Sequence, residues 1–175
     1  MRLFVAIDIP PELQILLDER MPDLPGWRKT KQEQLHITLL FLGDCSGADV
    51  NRIQNILTCI SIDRFTLELN GPGIFPHQKN PKIVWAGIKR SNKLMELQSN
   101  ISEQLCGFGD GADHPEFIPH ITLARRKSGS GWDQNIEELF NEESLTGSFH
   151  VDRFLLKRSI LSPDGSRHEV IGEFL

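Results

Sequence analysis

The sequence predicts an α+β fold of two pseudo-symmetric lobes, each an antiparallel or mixed sheet with helices packed on its outer face, and a cleft between them. Three observations carry this expectation. The order strand–helix–strand–helix–strand occurs twice, in units of about residues 1–75 and 80–175, a period far beyond that of solenoid repeats. The tetrapeptide His-Ile-Thr-Leu stands in the second strand of each unit, as His36-Ile37-Thr38-Leu39 and His120-Ile121-Thr122-Leu123. The 175 residues, 39% hydrophobic and 25% charged, have the size and composition of a single soluble domain (1–175) with one substantial core.

Arg2–Ile9 is a nearly continuous apolar run rich in strand formers and reads as a buried strand. Pro11 suits the first turn of the helix that follows, with Leu13, Leu16, Leu17 and Met21 on one face. Leu35–Leu42 is the next strand, ended by Gly43-Asp44. Val50, Ile53, Leu57 and Ile60 recur at helical spacing, and Arg64–Asn70 alternates with Phe65, Leu67 and Leu69 on one face. The turn-rich stretch 71–81 reads as a loop. Lys82–Ile88 then starts the second unit as a strand. Ser91 is placed to cap a helix carrying Leu94, Leu97, Ile101 and Leu105. A glycine-rich loop, Gly107–Asp113, leads to the strand Pro119–Arg125, and Ser128–Gly131 is a second loop. Trp132, Ile136, Leu139 and Phe140 fit a short helix, and Ser148–Leu156 a strand. Ser162-Pro-Asp-Gly165 is a turn signal that predicts a closing hairpin with Arg167–Phe174.

Composition excludes several classes. No apolar run approaches the roughly 20 residues that cross a bilayer. The first residues, cut by Asp8 and followed by Pro10-Pro11, do not read as a signal peptide. Cys45, Cys59 and Cys106 are odd in number and lack CxxC spacing, which points to free thiols in a reducing cytoplasm. A net charge of −5 disfavours a broad DNA-coating surface, while leaving room for a small phosphate site built from local donors.

Strand geometry gives the repeated tetrapeptide its chemical meaning. Side chains alternate, so His36 and Thr38 share one face while Ile37 and Leu39 point into the core; the same holds for His120 and Thr122. Two imidazoles opposed across a cleft suit phosphodiester cleavage. One oxygen loses a proton as it attacks and another gains one as it leaves, on opposite sides of phosphorus. With an unperturbed pKa of about 6.5, histidine serves either role near neutrality. The threonine hydroxyls would hold the non-bridging oxygens. A lone His-x-Thr on a strand is ordinary surface chemistry; its recurrence at equivalent points of repeated units is not. Geometry alone leaves open which histidine is acid and which base.

The segments Arg2–Asp8, Leu35–Gly43, Val84–Gly87, Phe117–Arg125 and the hairpin Ser159–Val170 resemble the two-histidine phosphoesterase superfamily. Within it they are most similar to the bacterial RNA 2',3'-cyclic phosphodiesterases, also called 2'-5' RNA ligase-like proteins. The resemblance implies hydrolysis of a terminal ribose 2',3'-cyclic phosphate to a 2'-phosphomonoester. It implies His36 as general acid on the 3' leaving oxygen, His120 as general base on water, and Thr38 and Thr122 as phosphate ligands. Arg125 matches the family's arginine, whose planar fork suits phosphate. Phe117 and Trp85 match family aromatics, as stacking residues or, more simply, as core. His168 departs from the pattern, standing where an aromatic such as tyrosine is expected. No cofactor and no metal are implied, since His-x-Thr lacks the ligand count of a zinc site. The expected partners are RNA ends or nucleotides bearing a 2',3'-cyclic phosphate, met by a cytoplasmic monomer. His77, His114 and His150 are expected to be exposed and outside the chemistry. Two other readings stand beside this one: ATP-independent 2'-5' joining of RNA ends, and a non-catalytic module that binds a nucleotide or RNA end.

Overall fold

Leu3–Ile7 are all buried, and the strand that holds them, β1 (Arg2–Asp8), is paired on both sides. The computed structural model describes every residue except Gln78, 110–115, 132–144 and 163–164. The short helix expected around Trp132–Phe140, part of the glycine-rich loop, and His114 therefore lie outside the described residues. After β1 come α1 (Pro11–Arg20), β2 (Trp27–Lys29), a 3-10 turn (Gln32–Gln34), β3 (His36–Asp44) and α2 (Gly47–Thr58). Then follow β4 (Phe65–Phe75), β5 (Ile83–Ile88), α3 (Asn92–Gln104), β6 (His120–Arg126), β7 (Ser148–Val151), β8 (Phe154–Ser162) and β9 (Gly165–Phe174).

The fold is α+β: a nine-stranded antiparallel sheet with three α-helices among the described residues. Strand order is β7-β4-β5-β6-β3-β1-β8-β9, with β2 added to β6. This order crosses the boundary between the sequence units. β4, from the first unit, pairs with β5 and β7 of the second, and β8 pairs with β1. At the middle, β3 meets β6 through one residue pair, Ile37–Ile121, both fully buried.

Local chemistry explains the helices. Pro11 occupies the first turn of α1, where its missing N–H costs nothing. Ser46 and Asp49 form a reciprocal capping box at the start of α2, and the Ser91 hydroxyl accepts from the Leu94 N–H at 3.3 Å. Leu94, Leu97 and Ile101 of α3 join Ile37 and Leu39 in the core. Helix packing thus takes the Ile37/Leu39 face of the sheet and leaves the His36/Thr38 face open.

Three expectations need correction. Residues 71–75 are strand, not loop: β4 continues to Phe75 past a register shift between Leu69 and Pro72. Gly71 supplies the positive φ (72°) of that irregularity, and Pro72 lies where only β5 pairs with β4, so its missing N–H breaks no ladder. Ser148–Leu156 is two strands, because β7 joins β4 at one end of the sheet while β8 joins β1 far from it. β2 is an addition to the expected order; three residues are too few for a period to register.

Candidate active site

Ile37 and Ile121 pair antiparallel at the sheet's centre, and each is flanked along its own strand by a histidine and a threonine. His36 and Thr38 therefore share a face with His120 and Thr122. In a regular ladder His36 comes opposite Thr122 and Thr38 opposite His120. The two histidines then occupy one diagonal of the quartet, about 7–8 Å apart at the backbone, and the threonines the other. All four side chains line one cavity of 580 Å³.

The two imidazoles are held alike. Nδ1 of His36 lies 2.6 Å from the carbonyl oxygen of Gln34, and Nδ1 of His120 lies 2.7 Å from that of Ile118. A carbonyl only accepts, so Nδ1 carries the proton in both rings and Nε2 is the nitrogen free to exchange one. The Thr38 hydroxyl, 3.1 Å from His36 Nε2, donates to it. Rings pack around each imidazole. Phe4 and His168 stand 5.1 and 5.2 Å from His36, and Phe75 and Trp85 stand 5.1 and 5.9 Å from His120. Gly73 makes room for this second cage, since a Cβ there would lie 2.2 Å from the Trp85 ring.

The cavity is cationic although the chain is not. Arg2, Arg28, Lys29, Lys31 and Arg125 line it, with no carboxylate among its described lining residues. Burial, first of all, lowers the pKa of His36 to about 3, and the charges of Lys157, His168 and Arg125 add to that against the hydrogen bond to Gln34. His120 is also lowered, by burial and then by Arg125, against its bond to Ile118. Beneath His36 the Lys157 ammonium, 4% exposed, is held by the Asp8 carboxylate. His168 lines the cavity with its ring nearly perpendicular to that of His36, its Nδ1 buried without a hydrogen-bond partner.

The structure thus gathers His36, Thr38, His120, Thr122 and Arg125 at one cavity. It does not bring Phe117 there. Phe117, partly buried, packs against the core instead. Trp85 supports His120 and is not a lining residue. His77 is exposed, and His150 is exposed and bonded to Thr66, 3.0 Å away. The strand-and-turn segment Arg28-Lys29-Thr30-Lys31 escapes the sequence reading, although its density of cations is a visible signal. Phe41 escapes it as well. Among the described residues no three His, Cys, Asp or Glu side chains cluster as metal ligands.

A sheet that carries two His-x-Thr pairs across its central seam, inside a cationic cavity, defines a two-histidine phosphoesterase. The chain belongs to the 2'-5' RNA ligase superfamily, whose sequence profile matches residues 20–159. It is 34% identical over 168 residues to an RNA 2',3'-cyclic phosphodiesterase of Archaeoglobus fulgidus, covering 94% of both chains. It is 33% identical over 187 residues to the protein of that name from Thermus thermophilus, covering 99% of this chain and 89% of the relative. Among solved structures, E. coli LigT complexed with phosphate is similar with a TM-score of 0.72 and 26% identity, over 98% of this chain and 95% of LigT.

Proposed function

We propose that this protein hydrolyses terminal ribose 2',3'-cyclic phosphates on RNA to 2'-phosphomonoesters, without a metal, by acid–base catalysis between two histidines. The observation that carries the reading is the cavity itself: two histidines held in the same tautomer and two threonines line it together with five cationic side chains. His120 Nε2 takes a proton from the attacking water. The water oxygen bonds to phosphorus, the bond to the 3' oxygen breaks, and that oxygen leaves with a proton from His36 Nε2. Thr38 and Thr122 hold the non-bridging oxygens, and Arg125 offsets their charge.

The electrostatics place a condition on His36. Burial and three neighbouring cationic or titratable groups keep it neutral in the free protein, so its service as acid depends on the substrate's own negative charge offsetting them. The similar relatives named RNA 2',3'-cyclic phosphodiesterase and the phosphate held by LigT support the substrate class. The superfamily's description favours one second reading, ATP-independent 2'-5' joining, as the reverse of the same cyclic-phosphate chemistry. All three cysteines are free, in keeping with a reducing cytoplasm. The test is product analysis on a short RNA ending in a 2',3'-cyclic phosphate. Conversion to the 2'-phosphate, unchanged by EDTA and lost in His36→Ala and His120→Ala, is expected. A 3'-phosphate product or inhibition by EDTA would overturn the assignment.

A further inference from the structure

We propose that Arg28 and Lys31 form a second anion site in the cavity, which takes the phosphodiester joining the terminal nucleotide of an RNA to the nucleotide before it, so that the protein selects RNA ends over cyclic mononucleotides. This second site depends on the proposed reading of the first and extends the substrate by one nucleotide.

The cavity holds more positive charge than a single cyclic phosphate uses. A 2',3'-cyclic phosphate is a diester with one negative charge, whereas Arg2, Arg28, Lys29, Lys31 and Arg125 all line the cavity. Three of these cations are committed elsewhere. Lys29 pairs with the Asp18 carboxylate at 3.1 Å, the Arg2 guanidinium lies 5.5 Å from the centroid of the Phe41 ring, and Arg125 serves the cyclic phosphate. Arg28 and Lys31 are exposed and have no ion-pair partner among the described residues. The sheet moreover sets like charges side by side. β2 runs antiparallel to β6 with Arg28 directly opposite Arg125, and both line the cavity. Opposed like charges destabilise a strand pair. An anion beside them offsets that repulsion, and the planar guanidinium fork suits phosphate.

The placement fits a chain that leaves the first site along β6. Arg125, and with it Arg28, stands three residues beyond Thr122, about 10 Å along the strand. A phosphate one ribose away from the first falls within that span, in reach of side chains as long as arginine and lysine. The backbone that carries the two cations is fixed. The Thr30 N–H donates to the Leu123 carbonyl oxygen at 2.8 Å, and the Gln34 side-chain amide donates to the Ser166 carbonyl oxygen at 2.8 Å. The Arg28 side chain lies along Gly165, where a Cβ would come within 3.5 Å of Nη1. Segment 28–34 is thus clamped between β6 and the β8–β9 hairpin. Gln34 also supplies the carbonyl that holds His36, so the second site is built on the same turn as the first histidine.

The test compares kcat/KM for three substrates in wild type and Arg28→Gln/Lys31→Gln: adenosine 2',3'-cyclic phosphate, its 5'-phosphorylated form, and the dinucleotide ApA ending in a 2',3'-cyclic phosphate. An exposed ion pair changes affinity by up to about fivefold, so two at one phosphate give about tenfold. The wild type is expected to prefer both the dinucleotide and the 5'-phosphorylated nucleotide by that factor, and the double variant to bring both ratios close to one, chiefly through KM. Wild-type ratios near one overturn the second site. So do ratios kept in the double variant, whether or not all three rates fall together as they would if the cations only attracted anions at long range. A preference confined to the 5'-phosphorylated mononucleotide overturns the selection of RNA. If the wild type turns over none of the three, the phosphodiesterase reading fails. The second site is then decided by equilibrium binding of ApA 2'-phosphate against adenosine 2'-monophosphate, where an unchanged preference in the double variant rejects it.

Discussion

Burial of neutral His36 makes the protein's stability depend on pH in a way that one substitution isolates. The imidazole falls from 6.5 to about 3 on folding, chiefly through burial. Between those values the unfolded chain holds a proton at this residue and the folded chain does not. Stability is therefore complete above the unfolded pKa and is lost as pH falls toward the folded one. Each pH unit between the two values corresponds to about 1.4 kcal/mol, so the full range represents roughly 5 kcal/mol. His36→Asn removes the titration. Urea unfolding of both proteins from about pH 7 to about pH 4 is expected to show the wild type losing up to about 1.4 kcal/mol per pH unit more than the variant, or roughly 3 kcal/mol across the lower two units. The readout is the difference in slope, which is insensitive to a constant cost of the substitution. Parallel curves would refute the reasoning, because they would mean that His36 protonates as readily in the fold as in the unfolded chain.

The same electrostatics predict an acid-shifted pH optimum for kcat/KM. Both histidines are lowered in the free protein, whose ionisations kcat/KM reports, so the bell should peak below about 6.5. The kcat profile should lie at higher pH, since bound phosphate opposes the lowering; a kcat/KM that climbs steadily into the alkaline range would contradict the pair. Asp8→Asn removes the charge paired with the buried Lys157 ammonium and, since Asp8 is itself 40% exposed, should cost about 1–3 kcal/mol in urea unfolding. Adding Lys157→Met should recover most of that loss, and no recovery would show that the pair is not the cause.

The central strands and the two His-x-Thr pairs are legible because period-two alternation is a local property: Ile37 and Ile121 point inward for the same reason that His36 and His120 point out. What escapes the sequence is non-local or depends on breaks in period. Phe41 has the parity of a core residue, and only the extra residue opposite Val5 and Ala6 turns it outward. Gly71-Pro72 has the composition of a loop, yet β5 extends β4 through it. No local pattern signals that β8 and β9 return to β1, carrying His168 and Lys157 to the first histidine. The expectation that both histidines titrate near neutrality follows from the free side chain. The burial that lowers them, with Arg125 beside both and Lys157 beside His36, is assembled only by the fold.

The most direct test of the central claim is a crystal structure of the protein with inorganic phosphate in the cavity. One phosphate is expected within hydrogen-bonding distance of Nε2 of both His36 and His120, with Thr38 and Thr122 on its remaining oxygens. A phosphate held by only one histidine, with the other ring turned away from it, would rule out catalysis by the pair.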